Sequence, residues 1–356
     1  MIDFLVIGGG IAGLAAGAGL SPLGKVTVLE AEDTLGYHTS GRSAALYEPS
    51  YGSKAVEALG HASLAGHQAA GVLSPRGVML VAKADQRAEF DADTIGMGMT
   101  EIDMTEALDL CPILDPEQVA FAAYNEASYD IDTELLMQTY AKEIRAGGGE
   151  VLTAQRVQSM SKTDEIWTVT TANRTFEAKN IANAAGSWVD KVAALAGIAE
   201  IGFQPKRRSM ARVPAPDGMN PAAWPMVFGV GESWYMKPDA GALIVSPADA
   251  TPSEPMDAWA DDMDLAEGIA SFEDHTTVEV DRMIANWAGL RTFSPDKTLV
   301  LGPDPLDPSF IWCAGQGGYG FTTAPAVKDF LRAIIAGNEL PIDAEHAAAV
   351  LPDRYR

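Results

Sequence analysis

Phe4-Leu-Val-Ile7 runs directly into Gly8-Gly9-Gly10-Ile11-Ala12-Gly13, and a second apolar run, Val26-Thr-Val-Leu29, ends on Glu30. Strand, glycine turn, helix, strand and terminal acid, in that order, are the parts of a βαβ unit that binds a dinucleotide. In the G-x-G-x-x-G spacing Gly8 permits the tight turn and Gly10 lets backbone N–H groups approach a pyrophosphate. Gly13 lets the helix pack close to the strand, and the helix N-terminus then faces the phosphate charge. Glu30 follows Gly13 by 17 residues, where a carboxylate accepts a hydrogen bond from a ribose 2′-hydroxyl and repels a 2′-phosphate. The unit therefore favours FAD or NAD over NADP.

The chain has 356 residues, 47% of them hydrophobic, enough to bury a large core and to form two domains. Its 25 basic and 49 acidic side chains give a net charge of -24, which repels nucleic acid phosphates and anionic lipid headgroups. No apolar run reaches the roughly 18 residues of a membrane span. The N-terminus lacks the basic stretch of a signal peptide, so cytoplasmic residence is the expectation. Cys111 and Cys313 are the only cysteines, too few for a disulfide framework or a thiolate metal site. The five histidines show no H-x-x-x-H or H-E-x-x-H spacing, and no metal is expected.

Farther along, Gly36-Tyr37-His38-Thr39-Ser40-Gly41-Arg42-Ser43-Ala44-Ala45 reads as a polar loop able to wrap a ligand. Residues 133–146 read as an amphipathic helix opened by Thr133 as N-cap and stopped at Gly147-Gly148-Gly149. Short strands follow at Glu150-Val-Leu, Val157, Trp167-Thr-Val-Thr and Phe176. Asn180-Ile-Ala-Asn-Ala-Ala-Gly186-Ser-Trp188 repeats the strand-to-glycine-to-helix pattern of the first unit and reads as the same sheet resumed. Between about 200 and 293 the chain turns β-rich, with a hairpin predicted over Ser233–Ser246 around Asp239-Ala-Gly241. Gly315-Gln-Gly317-Gly318-Tyr319-Gly320 then sits between an apolar strand and a helix. Four glycines in six residues predict backbone packed against a flat or charged ligand.

The G-x-G-x-x-G unit with Glu30, the segment GYHTSGRSAA, the NAAGSW run and the AGQGGYG stretch together resemble the flavin-dependent D-amino acid oxidase and dehydrogenase family, over essentially the whole chain. Gln204–Ser209, Trp234–Gly241 and Gly289–Asp296 are most similar to its bacterial D-arginine dehydrogenase branch. The resemblance implies an α/β fold, with a Rossmann-like FAD-binding domain built from 1–75, 132–200 and 294–356. A β-rich substrate-binding domain from 76–131 and 201–293 then lies over the isoalloxazine ring. It implies that Arg42, Ser43, Val157, Ala185, Gly186, Gly315, Gly317, Gly318, Tyr319 and Gly320 line the FAD, and that Tyr51, Tyr235 and Gly318 face the substrate.

Oxidising an amino acid at its α-carbon requires the carboxylate held, the amine neutral and the C–H bond aimed at flavin N5. Arginine is the natural carboxylate anchor, because its planar fork makes two charge-assisted bonds. Arg291, within Trp287-Ala-Gly-Leu-Arg-Thr-Phe293, has apolar neighbours and no acidic residue nearby in sequence, and is the first candidate. Arg207 and Arg208 are adjacent, so strand alternation sends them to opposite faces and at most one reaches a pocket. No general base is assigned, since solvent can take the amine proton before hydride transfer. The expected reaction is FAD-dependent oxidative deamination giving an imino acid, with oxygen, a quinone or another carrier as electron acceptor. The alternatives are oxidation of a secondary amine, such as an N-methyl amino acid or D-proline, and a non-redox dinucleotide-binding protein.

Two departures bear on substrate choice: Val78 aligns with an acidic residue of the branch and Leu46 with a histidine. A cationic side chain without a partner loses several kcal/mol of solvation, so a neutral or apolar substrate side chain is expected unless Glu48 points inward. With no cysteine near Gly289 or Arg291, where the sarcosine-oxidase branch attaches its flavin, the FAD is expected to be non-covalent.

Overall fold

In the computed structural model, which describes residues 1–356, the opening stretch forms strand β1 (Ile2–Ile7), helix α1 (Ile11–Leu20) and strand β2 (Val26–Leu29). The alanine- and glycine-rich α1 is buried almost all round, as befits a helix with no polar face. β1 lies between β2 and the strand Thr175–Asn183, parallel to both, with Val6 opposite Val28 and Ala182. Glu150–Leu152 extends this sheet beyond β2, and Phe310–Ala314 runs parallel to Thr175–Asn183. The run at Asn180 is therefore the first sheet resumed.

A second sheet of nine strands is predominantly antiparallel. Its longest pairing joins Gln204–Pro214 to Ala285–Phe293, with Lys206 opposite Arg291 and Arg208 opposite Gly289. The predicted hairpin forms between Tyr235–Asp239 and Ala242–Ser246. Ala240 and Gly241 take φ of 46° and 79° in its turn, the left-handed pair that matches the twist of the strands. Strands of the first sheet come from residues 2–29, 150–183 and 300–314, those of the second from 78–125 and 204–293. A three-stranded sheet of Leu46–Tyr47, Tyr129–Ile131 and Leu73–Pro75 lies between them in the chain.

The helix Thr133–Ala146 has the expected span, but its N-cap is Asp132 rather than Thr133. Asp132 keeps an extended backbone and accepts the Leu135 N–H at 2.9 Å, while Thr133 is already helical. A carboxylate there also meets the positive end of the helix dipole. No helix of the chain is long and apolar enough to cross a membrane.

Candidate functional site

Two adjoining cavities share Gly10, Thr39, Ser40, Ala184 and Gly186. The shared part is the mouth of the glycine turn after β1. Gly8 holds φ at 112°, and a Cβ there would sit 2.3 Å from the Ala184 carbonyl oxygen. Gly13 does not line either cavity: a Cβ on it would lie 1.8 Å from the Gly8 carbonyl oxygen, so its role is to let α1 close onto β1. The Gly9 N–H donates to Glu30 Oε2 at 2.7 Å and the Glu32 N–H to Oε1 at 2.9 Å. Glu30 therefore fixes the glycine turn as well as lining the second cavity, and its oxygens keep lone pairs for a ribose hydroxyl. No side chain caps Gly10 at the start of α1. Its free N–H groups open on the shared cavity, and the Ile11 N–H donates to Ser40 Oγ at 3.0 Å.

Val157, Ala185 and Gly186 line the second cavity beside Glu30, and Ser43, Gly317, Gly318 and Gly320 line the first. A glycine cradle, exposed helix N–H groups and a carboxylate at the far end suit a dinucleotide lying across both cavities, so the residues present fit FAD. Arg42 also lines the first cavity, but its guanidinium donates to the Ala258 and Ala288 carbonyls and to Asp257 at 2.5 Å. Its charge ties the Gly36–Ala45 loop to the second sheet. Gly315 and Tyr319 line neither cavity. Gly315 turns the chain at φ 74° against Phe203, and Tyr319 packs edge-on to Tyr51 with ring centroids 5.3 Å apart. The other glycines of this loop answer to protein neighbours too. A Cβ on Gly317 would lie 2.4 Å from the Phe293 ring, and one on Gly318 3.0 Å from Arg291 Cζ.

Arg291, Arg208, Tyr51 and Tyr235 converge on the first cavity. Because Arg208 faces Gly289 across the ladder, Arg291 two residues on shares its face of the sheet. Burial works against the charge of Arg291, but Tyr51, Tyr235 and Glu232 around it outweigh burial and hold its guanidinium above the usual range. Burial and the like charge of Arg291 push Arg208 down. Arg208 is only 5% exposed, and its single protein hydrogen bond runs from Nε to the Asp249 carbonyl at 2.8 Å. No protein carboxylate pairs with either guanidinium, so two cations share one cavity and await an anion. Burial raises the Tyr51 phenol well above its ordinary range, which keeps it a neutral donor.

Arg207 is a correction. It points to the other face of its strand, where it pairs with Asp264 at 2.6 Å and approaches Asp249 and Asp261. Strand alternation forces this split: two neighbouring residues cannot enter one pocket. Arg208→Ala is expected to lower kcat/KM by about 30-fold or more through loss of a buried charge-assisted pair. Arg207→Ala is expected to leave kcat/KM near the parent value and to lower Tm; steady-state kinetics and a melting curve on both variants check this.

Glu232 is the residue that sequence reasoning missed. It accepts the Tyr51 hydroxyl proton at 2.8 Å from a turn 181 positions away, and it lines the cavity mouth. Its backbone is left-handed, φ 53°, beside Gly231 at φ 64°, and no motif marks such a turn. Neither cysteine lines either of these two cavities; both are buried, and burial pushes the Cys313 thiol up to about 12. No group of three or more His, Cys, Asp or Glu side chains is placed to hold a metal ion.

Among curated proteins the chain is 26% identical to the tRNA 5-methylaminomethyl-2-thiouridine biosynthesis bifunctional protein MnmC of Methylobacillus flagellatus, over 99% of this chain and 59% of that protein. The chain spans about half the length of the curated relatives it matches. Among solved structures it superposes on L-alpha-glycerophosphate oxidase of Mycoplasma pneumoniae with FAD bound, at TM-score 0.83 and 21% identity over 96% of both chains. It superposes equally well on glycine oxidase of Geobacillus kaustophilus, at TM-score 0.83 and 20% identity over 97% of both chains. These likenesses establish the fold. The family model described as DAO, FAD dependent oxidoreductase, matches residues 3–331, and the chain belongs to this family of FAD-dependent oxidoreductases.

Proposed function

We propose that this enzyme is cytoplasmic and oxidises the amine of a D-amino acid to an imino acid, using FAD held without a covalent bond. The observation that carries the reading is the pair Arg208 and Arg291, two guanidiniums in one cavity that no protein carboxylate neutralises. A carboxylate accepts the fork of Arg291 in two parallel bonds and relieves the repulsion between the two cations. Bound FAD supplies a two-electron acceptor. The chain's own work is positioning: Arg291 and Arg208 hold the carboxylate, and Tyr51 and Tyr235 offer hydroxyls beside it. Leu46, Val78, Met97, Met226 and Phe228 exclude water from the side-chain end of the cavity. The amine is proposed to give its proton to solvent before hydride transfer. Oxygen, a quinone or another carrier then takes the electrons. The preference for the D hand rests on the resemblance at Gln204–Ser209, Trp234–Gly241 and Gly289–Asp296.

The test is the visible spectrum of the purified holoenzyme under anaerobic conditions with D-, L- and N-methyl amino acids. Bleaching by D-amino acids is the expected result. Faster bleaching by sarcosine or D-proline moves the protein to secondary amines, and no bleaching by any amine overturns the proposal. Acid denaturation of the same preparation is expected to release its yellow colour to the supernatant; colour retained in the pellet overturns the non-covalent assignment.

A further inference from the structure

On the edge away from Ala285–Phe293, the strand that carries Arg208 loses its regular partner at that residue. Val245 lies opposite Ala211 and Thr251 opposite Arg207, so the three residues 208–210 face the five residues 246–250, which form a bulge. Ala248 turns the bulge with a left-handed backbone, φ 53°. Side chains of the bulge serve Ser209 where a ladder would have done so. The Ser209 N–H donates to Asp249 Oδ1 at 2.5 Å and its hydroxyl to Oδ2 at 3.1 Å, and its carbonyl accepts the Ser246 hydroxyl at 2.7 Å. The same Ser246 oxygen accepts the Ala248 N–H at 3.1 Å. Ser209 and Ser246 are fully buried and the Asp249 side chain is 7% exposed, so these bonds are shielded from water and costly to leave unmade. From outside, the helix Asp262–Glu273 closes on the bulge: a Cβ on Gly268 would lie 2.6 Å from the Pro247 nitrogen.

We infer that this bulge aims Arg208 into the cavity, with Asp249 as the positioning residue. The inference rests on the amino acid reading above and adds the part that holds one of its two carboxylate anchors. The Asp249 carboxylate lies on the Arg207 side of the strand, with Oδ2 3.5 Å from Arg207 Nε, whereas its main-chain carbonyl accepts the Arg208 Nε–H at 2.8 Å. One residue thus meets both arginines and treats them differently. The carboxylate fixes the bulge on Ser209, and the fixed backbone presents a neutral acceptor to Arg208. That bond sets the direction of the guanidinium and leaves its charge and both Nη groups for the cavity that Arg208 lines. A carboxylate in place of that carbonyl would neutralise the cation and compete with a bound anion. A regular ladder would have committed the carbonyl to a strand N–H.

The experiment is a double-mutant cycle on the holoenzyme with Arg208→Ala, Asp249→Ala and the two combined. It is read as kcat/KM on the amino acid turned over fastest, and as the affinity for hexanoate from its perturbation of the bound FAD spectrum. Asp249→Ala alone is expected to lower kcat/KM by about 10-fold and to weaken hexanoate binding by a similar factor, as for misplacement of a positioned group. Asp249→Asn, which keeps an acceptor oxygen for the Ser209 N–H, is expected to recover most of that loss. In the Arg208→Ala background Asp249→Ala is expected to change either readout by less than about 2-fold further, since a residue that acts through Arg208 has nothing left to aim. Ser246→Ala, which removes the bond to the Ser209 carbonyl, is expected to follow the same pattern and replaces Asp249→Ala in the cycle where that variant does not fold. No loss in the single variant, or equal factors in both backgrounds as for a residue that only supports the fold, overturns the inference and leaves the amine-oxidising reading standing. Non-additive hexanoate binding with no bleaching by any amine keeps the inference about Arg208 and overturns that reading; no response to hexanoate or to any amine overturns both.

Discussion

Arg291→Ala is expected to lower kcat/KM by about 30- to 5000-fold, the equivalent of about 2 to 5 kcal/mol for truncating one partner of a buried charge pair. The guanidinium stands against the Gly317-Gly318 turn on one side and among Tyr51, Tyr235 and Glu232 on the other. Water that fills the space left by alanine does not replace a bidentate fork. Most of the loss is expected in kcat/KM rather than in flavin content, because Arg291 touches the substrate end of the cavity and not the glycine turn after β1. Arg291→Lys is expected to recover only part of the loss, since an ammonium supplies a point charge without the planar pair of donors. Steady-state kinetics with the flavin absorbance recorded on the same samples check both variants. Near-normal activity in Arg291→Ala would remove the residue from the site.

Gly13→Ala is expected to yield protein that fails to retain FAD and melts well below the parent. A methyl group 1.8 Å from the Gly8 carbonyl oxygen meets backbone, which no rotamer change can move aside. The remaining escape is for α1 to retreat from β1, and the far side of the helix is closed as well. A Cβ at Gly17 would lie 2.8 Å from the Ile144 side chain, and one at Gly19 2.2 Å from the Lys328 carbonyl oxygen. Overpacking of this kind typically costs about 1 to 3 kcal/mol and more where the backbone cannot yield. Here the strain falls on the glycine turn that we propose cradles the pyrophosphate. Gly71→Ala is the control: its backbone, unlike that of the helical Gly13, is left-handed, φ 66°, but nothing lies within 4 Å, so only local strain of about 1 to 2 kcal/mol is added and FAD is retained. Flavin content after gel filtration and a melting curve distinguish the two.

The nucleotide half of the site was legible because its signals are local. Gly8, Gly10, Gly13 and Glu30 lie within one βαβ unit, and each residue type answers to a backbone or charge requirement met within a few positions. The split between Arg207 and Arg208 was half legible. Alternation along a strand required that they part, but which one faced the cavity depended on the register of Gln204–Pro214 against Ala285–Phe293. The glycines after residue 314 were read as making room for a ligand. Two of them line the cavity and also make room for Phe293 and Arg291, side chains brought there by another strand.

The order of strand, glycine turn, helix and acid thus determined by itself the dinucleotide-binding unit and its preference for a ribose without a 2′-phosphate, because those properties are written in short-range spacing. Tertiary structure alone decided that Glu232 meets Tyr51, that Arg208 and Arg291 share one cavity with no carboxylate paired to either, and that Arg76 and Lys237 are both committed to Asp130. Whether a charge is paired depends on neighbours far away in the chain. The energy of an unpaired charge depends on its burial, and neither quantity exists until the sheets have closed around it.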